Sequence, residues 1–371
     1  MELPSTEGMQ VHSGFDDCVG NTPLILLSSL SHATSCLIYG KAEFMSPGGS
    51  VKDRAALYMI NAAERDGHLT KGDWLVEATA GNTGIGLVHI ANQRGYKCLF
   101  TCSAATSEEK IRYLQTLGAE VTLITSKIWR RDSRRSEPAH VHFHFDLEIW
   151  RDTAGRVDGI ALAAGTGGTI AGTSRYLKVS GTIRIDALMI VQRWSMTDRD
   201  APGGDEQERN KAVRVALIDV PGSGILAERK PDEPLLVLRQ KTEEEKAKSG
   251  SSVMEGIGSS LLYANLAQAQ LDDVLHADED ATAIEMAHYM LRKEGIFLGS
   301  SGALNCVAAY LLAKKLGPGH CVVTFLCDSG SRYESKIYNP AWLKEKNITI
   351  GPAEDLSFLR HIEELNGIPP A

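Results

Sequence analysis

The chain reads as an α/β protein with parallel-rich sheets, and three observations carry that expectation. Apolar runs of strand length recur along the 371 residues and alternate with stretches of helical period. Glycine-rich turns stand where strands give way to helices: Gly81-Asn82-Thr83-Gly84-Ile85-Gly86, Gly165-Thr166-Gly167-Gly168-Thr169 and Gly299-Ser300-Ser301-Gly302. The length suffices for two domains or one large α/β domain with a well-buried core. Repeated strand, turn, helix and strand mark βαβ units, in which ligands gather at the carboxyl ends of the strands, where these turns lie.

In chain order, Val19 to Pro23 is a turn that opens the apolar strand Leu24 to Leu27, and Cys36 to Lys41 is a second strand. The turn Pro47-Gly48-Gly49 leads into the helix formers Ala55, Ala56, Leu57, Met59 and Ile60, which puts Lys52 at the mouth of a helix. Trp74 to Ala78 is strand-like, the turn from Gly81 to Gly86 follows, and Leu87 to Arg94 is helical. Lys97 to Cys102 predicts a strand, Ser107 to Leu117 a helix and Glu120 to Thr125 a strand. Lys127 to Asp146 has no helical period and reads as an irregular surface loop. The apolar run Gly159 to Ala163 precedes the second glycine turn and the helical Ile170 to Tyr176. A second break spans Gly181 to Lys211; it is too long for a structureless connection in a compact domain and marks 182–211 as an insertion. Val213 to Val220 is a strand, the acidic Lys241 to Ser249 a surface helix, and Asp280 to Glu294 a helix. The third turn opens the helix Leu304 to Leu316, and the strand Cys321 to Cys327 ends in Asp328-Ser329-Gly330. No internal repeat is present.

Composition excludes several functions. With 39 Lys and Arg against 47 Asp and Glu, the net charge of −8 is wrong for a nucleic-acid partner, whose phosphates demand basic surface. The 7 cysteines are odd in number and contain no Cys-x-x-Cys pair, which fits a reducing compartment. No apolar run is long enough to span a bilayer, and Met1 to Glu7 resembles neither a signal nor a transit peptide. A cytoplasmic location is expected, with mitochondrial association left open.

Lys52 is the first candidate for chemistry. Near a helix N-terminus the positive end of the dipole disfavours the ammonium form, leaving the amine a Schiff base needs. Alone, Lys52-Asp53-Arg54 would be read as charges on a solvated helix face. Gly165, Thr166, Gly167, Gly168 and Thr169 can wrap a phosphate with backbone N–H groups and hydroxyls at a helix N-terminus; the plainer alternative is a tight structural turn. No Gly-x-x-x-x-Gly-Lys occurs, and Asp186 is the nearest, weak candidate for a ribose ligand, so a small phosphorylated cofactor is expected rather than a nucleotide. Thr79, Gly81 and Thr83 lie in a second turn able to receive a carboxylate, with the Asn82 amide at its centre. Ser300-Ser301 adds a neutral hydroxyl. A lysine, a phosphate cup, an amide and a serine point together to pyridoxal 5'-phosphate. His140, His142 and His144 could share one strand face, but no carboxylate or cysteine partner is placed beside them, and no metal is expected. Arg130, Arg131, Arg134 and Arg135, interrupted by Asp132, read as a solvated charge cluster.

Six motifs occur in the order of one family: Asn21-Thr22-Pro23-Leu24, Gly49-Ser50-Val51-Lys52-Asp53-Arg54, Thr79-Ala80-Gly81-Asn82-Thr83-Gly84, Gly165-Thr166-Gly167-Gly168-Thr169, Val253-Met254-Glu255-Gly256-Ile257-Gly258 and Asp328-Ser329-Gly330-Ser331-Arg332-Tyr333. Over most of residues 14–345 the chain resembles the cysteine synthase (O-acetylserine sulfhydrylase) and cystathionine β-synthase family, in the β-family, or fold type II, of pyridoxal phosphate enzymes. The resemblance implies a two-domain, tryptophan synthase β-subunit-like fold. Residues 48–150 would form a smaller mobile domain, and 1–47 plus 151–371 the larger one. It implies Lys52 as the Schiff-base lysine, Asn82 on the phenolic oxygen of the cofactor, Gly165 to Thr169 on its phosphate, and Ser301 at the pyridine nitrogen, or Ser300 if the register moves by one. Thr79, Gly81 and Thr83 would bind the substrate. The implied reaction is β-elimination of acetate from O-acetyl-L-serine followed by addition of sulfide, in a homodimer, with serine acetyltransferase as a further partner. Alternatives are another β-replacement or elimination enzyme of cystathionine β-synthase or serine/threonine dehydratase type, and a catalytically impaired, cofactor-binding scaffold. Two departures bear on this. Position 80 is alanine where the family has serine, and no Gln lies between Ala119 and Trp150, where the family carries a carboxylate-binding Gln-Phe pair.

Overall fold

The computed structural model describes residues 11–104, 106, 108–124, 145–178, 213–230 and 233–369. Strand β1 (Leu24–Leu26) passes through helix α1 (Ser28–Thr34) to β2 (Leu37–Lys41) and pairs with it antiparallel, Ile25 opposite Gly40. A second body follows: α2 (Lys52–Arg65), β3 (Trp74–Ala78), α3 (Asn82–Arg94), β4 (Lys97–Ser103), α4 (Glu108–Thr116) and β5 (Glu120–Ile124). Its three strands form a parallel sheet in chain order, with Val76 beside Leu99 and Phe100 beside Val121. Ala56, Ile60, Val88, Phe100 and Leu114 meet in its core.

The chain then returns through α5 (Phe145–Asp152), β6 (Gly159–Ala163), α6 (Gly168–Lys178) and β7 (Arg214–Asp219). A hairpin of β8 (Ile225–Glu228) and β9 (Val237–Gln240) precedes the short α7 (Glu243–Ala247) and β10 (Asp273–His276). Last come α8 (Asp280–Glu294), α9 (Ser300–Leu316), β11 (Cys321–Phe325), α10 (Pro340–Glu345) and α11 (Arg360–Leu365). The larger sheet has the order β1-β2-β11-β6-β7-β10 and is parallel apart from β1. Parallel strands covered on both faces read as continuous apolar runs; all five residues of β11 are accordingly buried. Residues 300–313 of α9 are buried as well, as befits a helix apolar on every side.

The glycine turns are shorter than the sequence predicts. Gly84 and Gly86 belong to α3 rather than to a turn, and a Cβ on Gly86 would stand 3.1 Å from the Lys52 carbonyl oxygen. Gly86 lets α2 and α3 approach closely, and Gly84 makes room for Thr79, Leu114 and Phe100. Helices α6 and α9 begin at Gly168 and Ser300, inside the expected turns. The four-residue strands β8, β9 and β10 are too short to show a period, and the sequence does not predict them. The surface helix read at Lys241 to Ser249 narrows to α7, held by a capping box between Thr242 and Glu245. Residues 127–144, with the histidine and arginine clusters, and 182–211 lie outside the described residues. All seven cysteines are free thiols. Among the described residues no helix is long and apolar enough to cross a membrane.

Candidate active site

A cavity of about 400 Å³ is lined by residues of both bodies. Lys52, Thr79, Asn82 and Thr83 line it from the smaller body, and Gly165 to Thr169 with Ser301 from the larger. Gly81 does not line it; Gly81 is the N-cap of α3 in extended conformation. Ser301 lines the wall, whereas Ser300, 2% exposed, does not.

Lys52 is the first residue of α2, and its backbone N–H donates to Ser50 Oγ at 3.2 Å. The loop before it is tied to the end of β11: Val51 N–H donates to the Cys327 carbonyl at 2.9 Å, and Ser50 bridges Asp328. Gly49 takes φ +80° to make the turn, a conformation open to glycine. The Gly48 N–H donates to Asp53 Oδ2 at 2.6 Å. Burial nevertheless pushes the Asp53 carboxyl up to about 6. Among the described residues the Lys52 side chain has no hydrogen-bond or ion-pair partner.

In the same cavity, the turn ahead of α6 is built from close approaches. A Cβ on Gly165 would stand 2.2 Å from the Gly256 carbonyl oxygen, and one on Gly167, at φ +83°, 2.5 Å from Leu266 Cα. Backbone alone fits there. Since the first intrahelical bond of α6 runs from Ala171 N–H to the Gly167 carbonyl, the N–H groups of Gly168, Thr169 and Ile170, which line the cavity, have no intrahelical acceptor. A helix start of this kind receives an anion.

The floor depends on residues that the motifs contained without a role being read for them, or that were missed. Asn305 receives the Ala163 N–H on Oδ1 at 2.7 Å and donates Nδ2 to the Phe325 carbonyl at 2.8 Å, which stitches β6 to β11. Its signal is an amide within the apolar run of α9. Cys327 Sγ also faces Asn305 Nδ2, at 3.3 Å, and burial pushes this thiol up to about 12. Glu255 lines the cavity and pairs with both Lys110 and Lys336. Burial works against its charge, yet the two lysines hold Glu255 below the usual carboxylate range. The Asn82 amide is held on both sides: Nδ2 donates to Asp328 Oδ2 at 2.7 Å, and Oδ1 accepts from Arg332. Burial raises the Asp328 carboxyl, against the stabilising hydrogen bonds of Asn82 and Tyr333.

A family model described as pyridoxal-phosphate dependent enzyme matches residues 15–142 and 145–328. The chain is 37% identical over 374 residues to a cysteine synthase of Dictyostelium discoideum, covering 94% of this chain and 90% of that one. It is 39% identical over 370 residues to cysteine synthase 1 of Neurospora crassa, covering 93% and 88%. Among solved structures, the O-acetylserine dependent cystathionine beta-synthase from Helicobacter pylori superposes with a TM-score of 0.68 at 25% identity, over 89% of this chain and all of that one.

Proposed function

The chain belongs to the pyridoxal-phosphate dependent enzyme family, and from that premise we propose that it makes L-cysteine from O-acetyl-L-serine and sulfide by β-elimination and then β-addition. The observation that carries this is one cavity shared by a lysine at a helix start that has no partner among the described residues, a glycine turn that admits only backbone, and a serine. These residues fit pyridoxal phosphate: the N–H groups at the start of α6 suit its phosphate, Lys52 its aldehyde carbon, and the neutral Ser301 its ring nitrogen. The identities to named cysteine synthases, 37% and 39% over nine-tenths of the chain, support the reaction.

When bound, pyridoxal phosphate supplies an electron sink for charge that develops at the substrate α-carbon. The protein supplies the rest. Lys52 Nζ, free of other partners, takes the α-proton as general base. Thr79 and Thr83, which line the cavity, orient the substrate carboxylate at the start of α3, where backbone N–H groups and the helix dipole favour an anion; Gly81 contributes as the extended N-cap of that helix. Residues 48–150 act as a mobile domain that closes on substrate and keeps water from the reacting carbon. A homodimer, a cytoplasmic location and docking of serine acetyltransferase belong to the same proposal.

A second reading is cystathionine synthesis, favoured by the likeness to an O-acetylserine dependent cystathionine beta-synthase. Product analysis separates the two. Cysteine from O-acetylserine plus sulfide, lost in Lys52→Ala together with the visible absorbance of the cofactor, is the expected result. Cystathionine from homocysteine, with no cysteine from sulfide, would replace the proposal. Cofactor absorbance without either product would leave a binding scaffold, in keeping with the absence of Gln between Ala119 and Trp150.

A further inference from the structure

The amide of Asn82 is caught between two side chains of opposite charge, 246 and 250 residues away in sequence. A carboxylate only accepts and a guanidinium only donates, so the pair leaves the amide one orientation. Nδ2 points at Asp328 Oδ2, 2.7 Å away, and Oδ1 at Arg332 Nη1. Nδ2 carries two protons and Asp328 engages one; Asn82 lines the cavity. We propose that Asp328 and Arg332 are positioning residues that fix the Asn82 amide so that its second N–H is offered to the cavity as a donor for an anionic oxygen of the ligand. This rests on pyridoxal phosphate as that ligand, whose phenolic oxygen is the acceptor.

The packing gives Asp328 no other arrangement. It is fully buried, Tyr333 donates to the same Oδ2 at 2.8 Å, and Oδ1 has no partner among the described residues. A Cβ on Gly299 would stand 2.1 Å from Oδ1, so the carboxylate is wedged against a residue that must lack a side chain. Burying an acid is costly; burial raises the Asp328 carboxyl, and the hydrogen bonds from Asn82 and Tyr333 work against that rise. Arg332 also donates to the Gly48 carbonyl, in the loop that leads to Lys52. One guanidinium therefore ties the lysine loop and the Asn82 amide to the end of β11.

The test is a double-mutant cycle on the full chain stripped of cofactor. Pyridoxal phosphate is titrated into the wild type, Asp328→Asn, Asn82→Ala and the double variant, and its dissociation constant and visible absorbance maximum are read. Asp328→Asn should weaken binding about tenfold and move the maximum, yet change neither in the Asn82→Ala background. Equal losses in both backgrounds would overturn the proposal, because a merely structural Asp328 acts without Asn82. Should Asp328→Asn fail to fold, Arg332→Gln takes its place in the same cycle. If the wild type shows no Lys52-dependent absorbance, the cofactor reading falls, and the side-chain amide protons of Asn82 in the cofactor-free chain decide the clamp. One slowly exchanging proton that becomes fast in Asp328→Asn upholds it, and two fast protons overturn it.

Discussion

Glu148 and Arg54 meet side by side, Nη1 on Oε1 at 2.7 Å and Nη2 on Oε2 at 2.8 Å, with both residues buried. Lys41, fully buried, adds its ammonium to Oε2 at 2.8 Å. Arg54 stands two residues past Lys52, so this fork joins the helix that carries the lysine to α5, where the described chain resumes at Phe145.

Removing the acid leaves two buried cations without it. Arg54 keeps Glu43 and Lys41 keeps Asp152, so Glu148→Ala is expected to cost about 2–3 kcal/mol of stability, the scale of hydrogen bonds to charged groups, read from urea unfolding; a loss below about 1 kcal/mol would show that the fork carries little. Burial opposes the charge, but the hydrogen bonds of Arg54 outweigh it and hold Glu148 at about 2. A depressed carboxylate stabilises above its unfolded value and loses that contribution as pH falls toward 2. The acid limb of the wild-type stability curve should flatten in Glu148→Gln.

Asp53 behaves in the opposite sense. Its carboxyl is raised from 3.8 to about 6, chiefly by burial, so the folded chain binds the proton more tightly than the unfolded one. Stability from this group is present below about 4 and declines as pH rises to about 6. Asp53→Asn keeps an acceptor for the Gly48 N–H and should remove that decline, gaining on the order of 1–3 kcal/mol at pH 7. An unchanged pH profile of the melting temperature would refute it.

Gly165→Ala places a methyl group on the Gly256 carbonyl, where no flexible side chain can give way. Overpacking of about 1–3 kcal/mol, felt at the turn, predicts pyridoxal phosphate binding about tenfold to a hundredfold weaker. Fluorescence titration of the cofactor-free variant checks this, and wild-type affinity would contradict the close approach.

Glu255 joins Lys110 of α4 to Lys336 across the rim of the cavity. These pairs are partly exposed and worth little each. Glu255→Gln should raise KM for O-acetylserine about fivefold and leave the absorbance of bound cofactor unchanged. The difference from wild type should shrink at high salt as screening weakens the wild-type pairs; a difference that persists in 1 M salt would argue for direct substrate contact instead.

That Lys52 and Gly165 to Thr169 stand at helix starts and line one cavity was foreshadowed in the sequence, because the chemistry of a turn or helix start is written within a few neighbouring residues. Glycine where backbone must approach, and hydroxyls where N–H groups converge, are local necessities. The α/β class followed for the same reason, since strand and helix periods are short-range patterns. Partners were another matter. Asn82 could be named as an amide in a turn, but not as one held by Asp328 and Arg332 from the far end of the chain. Nor did the sequence tell Ser301 from Ser300, which depends on the helical phase at which α9 meets β6 and β11. Gly84 and Gly86 looked like turn residues and proved to be packing positions within α3, Gly86 against α2, since a glycine's need for space is the same in either setting. Side-chain identity constrains what a segment can do near itself; which charge faces which amide across the cavity follows from sheet order, and that is set by packing between segments hundreds of residues apart.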